Sequence, residues 1–201
     1  MGLRFAPGAA TFGGPPIVVG VALLFLPVAP WIGALVILLG LGVIVFHRDP
    51  DRVIGAGVVS PSDGVVAQAA TGPAGTFLGV FLNVHDVHVV RAPADAAVVE
   101  VRRLEGPRAP AWSRKAGHNA GVELRLATEH GEMRLRMLVG MVARRVIPYV
   151  VEGQRLQTGE RIGLIRFGSR TELILAPSLR VTVTPGTKVL AGASSIAEVA
   201  P

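Results

Sequence analysis

Two patterns of apolar and polar residues divide the chain. From Pro15 to Phe46 there are 32 residues without a charge, PPIVVGVALLFLPVAPWIGALVILLGLGVIVF. A run of more than about 18 apolar residues marks a membrane-associated helical segment. Pro27 and Pro30 split this one into Ile17–Leu26 and Trp31–Phe46. The halves are predicted helices of about 15 and 24 Å, each short of a ~30 Å hydrocarbon core. Two arrangements fit: a hairpin that dips into the bilayer and returns to the same face, or a single tilted span kinked at the prolines. The hairpin is the expected form, because a double anchor holds the following domain close to the bilayer. A signal peptide does not fit, since only Arg4 precedes the run, the run is too long, and no A-x-A site follows.

After His47 the period changes to two. Short Val/Ile/Leu-rich runs, separated by Gly, Pro, Asp and Ser, predict strands. They fall at Gly57–Val59, Gly64–Ala69, Thr76–Asn83, His88–Arg91, Ala97–Glu105, Gly121–Leu126, Arg134–Val139, Val146–Val150, Arg161–Phe167, Thr171–Leu175, Arg180–Val183 and Lys188–Leu190. Such spacing predicts a compact all-β domain. Val151–Ile165 (VEGQRLQTGERIGLI) and Thr184–Ile196 (TPGTKVLAGASSI) share a G-x-x-[LV]-x-x-G pattern. This pattern resembles the hammerhead units of lipoyl/biotinyl-type barrel-sandwich hybrids, and SPSDGVV at 60–66 suits that architecture. The expected fold is therefore mainly β: a barrel-sandwich-hybrid-like domain at 47–201, preceded at 1–46 by a hydrophobic helical hairpin or membrane anchor.

Composition narrows the chemistry. The chain has 201 residues and no Cys, so disulfides, Cys-ligated metals and Cys nucleophiles are excluded. All 14 acidic residues and all but one (Arg4) of the 20 Lys and Arg lie beyond residue 46, giving that part a net charge of +5. A basic domain tethered to a bilayer is drawn to anionic headgroups. Nucleic acid is a poor partner, because the Arg residues are spread through β-like segments with few aromatics among them. Arg48 and Arg52, directly after the apolar run, predict a cytoplasmic flank at the cell membrane.

Few residues carry chemistry on their own. His85 and His88 in FLNVHDVHVVRAP are three apart, an odd separation that puts them on opposite faces of a strand, so no metal site is expected. Asp63, between Pro61 and Gly64, is by itself a turn residue. Ser169, in FGSR between two apolar runs, is by itself part of a hairpin turn.

Together they mean more. FHRDPDR at 46–52, VVSPSDGVV at 58–66, FLNVHDVHVVRAP at 81–93, LVGMVARRVI at 138–147, GERIGLIRFGSR at 159–170 and PGTKVLAGAS at 185–194 resemble the phosphatidylserine decarboxylase family in its short form. The matching blocks cover about 150 residues in family order. The resemblance implies a proenzyme that cuts itself between Gly168 and Ser169. The Ser169 hydroxyl attacks the preceding carbonyl, and the amide becomes an ester. β-Elimination then frees the upstream chain, and hydrolysis of the remaining dehydroalanine leaves a pyruvoyl group and ammonia. Gly at the preceding position offers least steric hindrance. An alcohol needs a base, and a His oriented by a carboxylate is expected, with His88 and Asp63 the available match.

The resemblance also implies the reaction: the pyruvoyl ketone condenses with the amine of phosphatidylserine and accepts the electrons released with CO₂. His88 would return the proton to Cα. Arg91, Arg144 or Arg145 would hold the lipid phosphate, because guanidinium forks match phosphate oxygens. The implied partners are phosphatidylserine, an anionic membrane surface, and the large (1–168) and small (169–201) chains of one precursor. A homo-oligomer is left open.

Two positions depart from the family. Its acidic E-N-E-R-like block is here Gly117-His118-Asn119-Ala120-Gly121, which keeps only the Asn, and His85 stands where an aromatic is more usual. Three readings compete. They are the pyruvoyl decarboxylase (for phosphatidylserine or another amino-acid headgroup), a non-catalytic membrane-tethered lipoyl/biotinyl-like module, and an Asp63/His88/Ser169 serine hydrolase. The second lacks a Lys at a hairpin tip, and the third lacks a G-x-S-x-G elbow.

Overall fold

The computed structural model describes residues 2–26, 30–72, 75–111, 113–141, 145–166 and 169–200. The chain divides into two compact units, Met1–Asp51 and Arg52–Pro201. In chain order the elements are β1 (Leu3–Phe5), α1 (Ala9–Leu24), α2 (Pro30–Phe46), β2 (Arg48–Pro50), β3 (Val58–Val59), β4 (Gly64–Gly72), β5 (Gly75–Leu82), β6 (Val89–Arg91) and β7 (Ala96–Leu104). A 3₁₀ turn (Arg114–His118) follows, then β8 (Gly121–Thr128), β9 (Gly131–Val139), β10 (Arg145–Pro148), β11 (Arg155–Leu156), β12 (Arg161–Arg166), β13 (Ser169–Leu175), β14 (Leu179–Val181), β15 (Lys188–Val189) and β16 (Ser195–Val199).

In the first unit, the two helices pack antiparallel through glycines spaced seven residues apart on each. A Cβ on Gly13 would lie 2.9 Å from the Gly40 carbonyl oxygen, and one on Gly20 would lie 2.7 Å from that of Gly33. Small residues let helix backbones approach this closely. α1 starts eight residues before the predicted Ile17 and carries Pro15 and Pro16 inside it. Pro27 lies outside the described residues. β1 and β2 pair antiparallel, Leu3 opposite Pro50 and Phe5 opposite Arg48, so the two ends of the helical pair are zipped side by side. The outward helical surface is apolar, with Val18, Phe25, Trp31, Leu38 and Leu39 all exposed. Among the described residues no helix is long and apolar enough to cross a membrane.

The second unit is mainly β. Its largest sheet has the order β11-β7-β8-β9-β13-β5-β4-β15 and curls into a half-barrel. Two three-stranded sheets, β10-β12-β6 and β14-β16-β3, accompany it. Alternation along the strands fills one core: Leu78 and Val80, Leu124 and Leu126, Met133, Leu135 and Met137, and Leu173 and Leu175 are all buried. This is the period-two pattern read from the sequence, and each of the twelve predicted strands has an observed counterpart. β1, β2, β11 and β16 were not foreseen, being too short or too polar to stand out.

The other face of the large sheet carries a charged row. Arg102, Glu123, Arg136, Glu172, Gly79 and Gln68 are successive cross-strand partners on β7, β8, β9, β13, β5 and β4. Glu123 takes Arg102 at 2.5 Å and Arg136 at 2.6 Å. Burial alone would raise the Glu123 carboxyl, but the hydrogen bonds from Arg136 and Arg102 outweigh it and hold the group below its ordinary value. At Gly79 the row has no side chain, and the Arg170 guanidinium lies there instead. A Cβ on Gly79 would be 2.5 Å from its Nη2. Arg170 is thereby held between Glu172 (3.0 Å) and Gln68. Two residues just downstream of Ser169 are thus pinned by buried charge.

Candidate active site

The site is built where the chain changes sheets. β12 pairs with β10 and β6, whereas β13 pairs with β5 and β9. The FGSR segment is therefore not the hairpin turn that its residues suggest in isolation, since β12 and β13 do not pair with each other. Phe167 and Gly168 lie outside the described residues. Ser169 is the first residue of β13, opposite Leu82 of β5 on one flank and Val139 of β9 on the other. The backbone is in register on both sides from that residue on.

The SPSD turn docks against this strand. Ser60 and Ser62 are fully buried. The Ser60 hydroxyl donates to the Ser62 carbonyl at 2.7 Å, and the Ser62 hydroxyl meets that of Thr171, two residues beyond Ser169, at 2.6 Å. Gly64 closes the turn at φ 143°, where a Cβ would fall 2.1 Å from the Phe81 carbonyl oxygen, so no side chain fits as β4 enters the sheet beside β5. Asp63 is buried, and both its oxygens are held by Arg52, with Nη2 at 2.7 Å from Oδ2; Ala191 N–H adds 2.8 Å to Oδ1. Arg52, one of the two basic residues that follow the apolar run, is itself largely buried.

His88 is fully buried just before β6. Its Nδ1 lies 2.8 Å from the Asp86 carbonyl oxygen, and its own carbonyl accepts Ile165 N–H at 3.1 Å near the end of β12. A carbonyl only accepts, so Nδ1 carries a proton, which leaves Nε2 as the basic nitrogen whenever the ring is neutral. The imidazole is oriented by this main-chain oxygen. Asp63, occupied by Arg52 and Ala191, does not hydrogen-bond it, so the expected Asp63–His88 pair is not formed directly.

Of the residues read as phosphate contacts, Arg91 is buried and donates to the Gly159 carbonyl at 3.1 Å, a bracing position. Arg144 lies outside the described residues. Arg145 is exposed at the start of β10. Asn119, the one residue kept from the family's acidic block, is buried; its amide bonds Val139 O at 2.7 Å and both main-chain groups of Ala109. It braces the end of β9 opposite Ser169.

An internal duplication, missed in the sequence, underlies the turn. Ser60-Pro61-Ser62-Asp63 has a counterpart in Ala92-Pro93-Ala94-Asp95, and the two cross-brace: Val59 N–H to Pro93 O and Arg91 N–H to Pro61 O, both at 2.8 Å. The repeated G-x-x-[LV]-x-x-G units follow the same symmetry. Gly153 and Gly159 in one, and Gly186 and Gly192 in the other, all have positive φ, with β11 and β15 at matching offsets. Gly192 N–H bonds Ser60 O, and Gly159 N–H bonds Ala92 O. Asp63 accepts from Ala191 N–H, and Asp95 from Thr158 N–H at 2.6 Å. Hydrogen bonds from the Thr158 hydroxyl and N–H hold the Asp95 carboxyl below its ordinary value. Asp95 is exposed and has no Arg52, so burial with a cation is what sets Asp63 apart. The short P-x-D signal was available in the sequence.

This is a β domain in which a serine opens a doubly paired strand, a buried histidine precedes β6, and an aspartate is braced in the SPSD turn fastened to that strand. A family profile described as phosphatidylserine decarboxylase matches residues 39–197. A protein of Halobacterium salinarum named "Putative archaetidylserine decarboxylase proenzyme" is 42% identical over 188 residues, 91% of this chain and 93% of its own. A phosphatidylserine decarboxylase proenzyme of Streptomyces coelicolor is 41% identical over 160 residues, covering 79% of this chain and 73% of its own. The chain belongs to the phosphatidylserine decarboxylase family.

Proposed function

We propose that the chain is a proenzyme that cuts itself between Gly168 and Ser169 and then decarboxylates phosphatidylserine to phosphatidylethanolamine through a pyruvoyl group derived from Ser169. The observation that carries this reading is Ser169 at the head of β13, paired on both flanks, with the SPSD turn fastened to the same strand through Ser62 and Thr171. The pyruvoyl ketone supplies the electron sink for decarboxylation. The chain's own residues do the rest. β5 and β9 hold the start of the strand still while its upstream bond breaks. His88, with its lone pair on Nε2, takes the Ser169 hydroxyl proton during processing and later returns one to the substrate Cα. The 33-residue small chain stays bound after cleavage because β13 lies inside the large sheet and Arg170 and Glu172 remain in the charged row. Intact-mass and peptide mass spectrometry of an active preparation should find two chains, 1–168 and 169–201, the smaller blocked at its N-terminus. A single intact species that still releases CO₂ would refute the proposal.

The paired P-x-D turns and glycine-matched units support a barrel-sandwich-hybrid-like domain with an internal two-fold. The same proposal places the N-terminal pair of helices as a hairpin in the cytoplasmic leaflet of the cell membrane. Sixteen and 17 residues give helices of about 24 and 26 Å, just short of a spanning length. Their outward surface is apolar, and the β1–β2 ribbon brings both ends to one side. In this Cys-free chain a Leu3→Cys variant tests it, Leu3 being exposed. A membrane-impermeant thiol reagent added to intact cells should leave the new Cys unmodified, and reaction after lysis should be complete. Labelling from outside means a single span.

A further inference from the structure

A cavity of about 290 Å³ opens at the end of the large sheet, lined by Arg103 of β7, Arg108, Arg145 of β10, Glu105 and the small residues Ala120 and Gly121. Val139, the cross-strand partner of Ser169, forms part of the same wall. The three guanidiniums come from two stretches of chain, the end of β7 with the segment after it and the start of β10. Elsewhere in the domain several arginines are neutralised: Arg52 by Asp63, Arg102 and Arg136 by Glu123, Arg125 by Glu100 and Glu132, and Arg180 by Glu198. Among the described residues Arg103, Arg108 and Arg145 have no such carboxylate partner. Glu105 is the one acid at the cavity, which leaves it a surplus of two positive charges. Uncompensated guanidiniums around a concave surface repel one another and favour an anion with several oxygens.

We propose that this cavity is an oxyanion site for phosphate, and that it seats the phosphodiester of the lipid headgroup during decarboxylation. The inference rests on the function proposed above and adds Arg103 and Arg108 to Arg145 as the residues that hold the substrate. Reach supports it. One strand spacing, about 4.8 Å, separates Val139 from Ser169. In a phosphoserine headgroup two carbons separate the phosphate ester oxygen from the amine that must meet the reacting centre, a comparable distance. Val122, Val146 and Leu104, also lining the cavity, give the glycerol end an apolar edge.

The test uses the full-length protein in mixed micelles of detergent and phosphatidylserine. Self-cleavage is read by mass and CO₂ release by rate. The variants are R103Q/R108Q, R145Q and the charge-keeping R103K/R108K. The wild type should cleave and turn over. In R103Q/R108Q and in R145Q cleavage should be complete, kcat should stay within about threefold, and KM for the lipid should rise about tenfold, the equivalent of about 1.4 kcal/mol. R103K/R108K should fall between, since an ammonium keeps charge and loses the fork. Inorganic phosphate should compete with the lipid in the wild type, and less in the glutamine variants. An unchanged KM in every variant overturns the proposal. So does an unchanged KM with a non-competitive phosphate effect that disappears in R103Q/R108Q, because the site would then serve free phosphate. A wild type that makes neither two chains nor CO₂ overturns the proposed function as well, and so separates that failure from this one.

Discussion

Ser169→Ala should leave the protein as one chain of 201 residues, folded and without decarboxylase activity. The alanine lacks the hydroxyl that attacks the Gly168 carbonyl in the proposed processing, so neither the ester nor the new chain end should form. The β13 ladder with β5 and β9 is made by main-chain groups, and the charged row that pins Arg170 and Glu172 does not involve position 169. Unfolding by denaturant should therefore match a freshly made, uncleaved wild type. The change in activity should be complete, because a residue that supplies both the nucleophile and the atoms of the reactive group leaves no partial route. Residual CO₂ release from an uncleaved Ser169→Ala chain, above that of a heat-killed control, would remove the pyruvoyl mechanism.

The second large effect is expected at the buried ion pair. Asp63→Ala strands the Arg52 guanidinium in a site where both side chains are about one-tenth exposed or less. Breaking such a pair from one side costs about 3–5 kcal/mol, on the order of 10 °C of melting temperature for a domain of this size. Arg52→Gln should behave similarly. The same turn carries Ser62, which touches Thr171 of the processed strand, so self-cleavage should slow in both variants. The duplicated turn supplies an internal control. Asp95 makes the same type of bond to a main-chain N–H but is exposed, so Asp95→Ala should cleave at the wild-type rate with a much smaller loss of stability. A time course of two-chain formation and a melting curve for each variant decide it. Equal effects at Asp63 and Asp95 would mean that both aspartates serve only the architecture.

These expectations draw on different levels of the molecule. The family was legible because FGSR and VHVVRAP are specific sequence blocks, and Ser169 is read as the reactive residue from the FGSR block. The strands were legible because alternation of Val, Ile and Leu with polar residues is a local property of a half-buried sheet. The Arg52–Asp63 pair was not legible, because only packing brings this guanidinium to a carboxylate 11 residues away. The resemblance implied a direct Asp63–His88 pair, yet His88 Nδ1 is held by the Asp86 carbonyl and Asp63 by Arg52.

The sequence alone determined the apolar N-terminal segment, the β character of the remainder, the family, and the bond at which the chain is read to cut itself. Each of these depends on residues adjacent in the chain or on a repeating local period. Tertiary structure alone decided that β12 and β13 belong to different sheets, and that β13 lies inside the large sheet. It also decided that the two P-x-D turns brace each other and that Arg103, Arg108 and Arg145 converge on one cavity. Those facts depend on which strands pair. Pairing is set by burial of a shared core among segments tens of residues apart, and no local pattern of side chains records it.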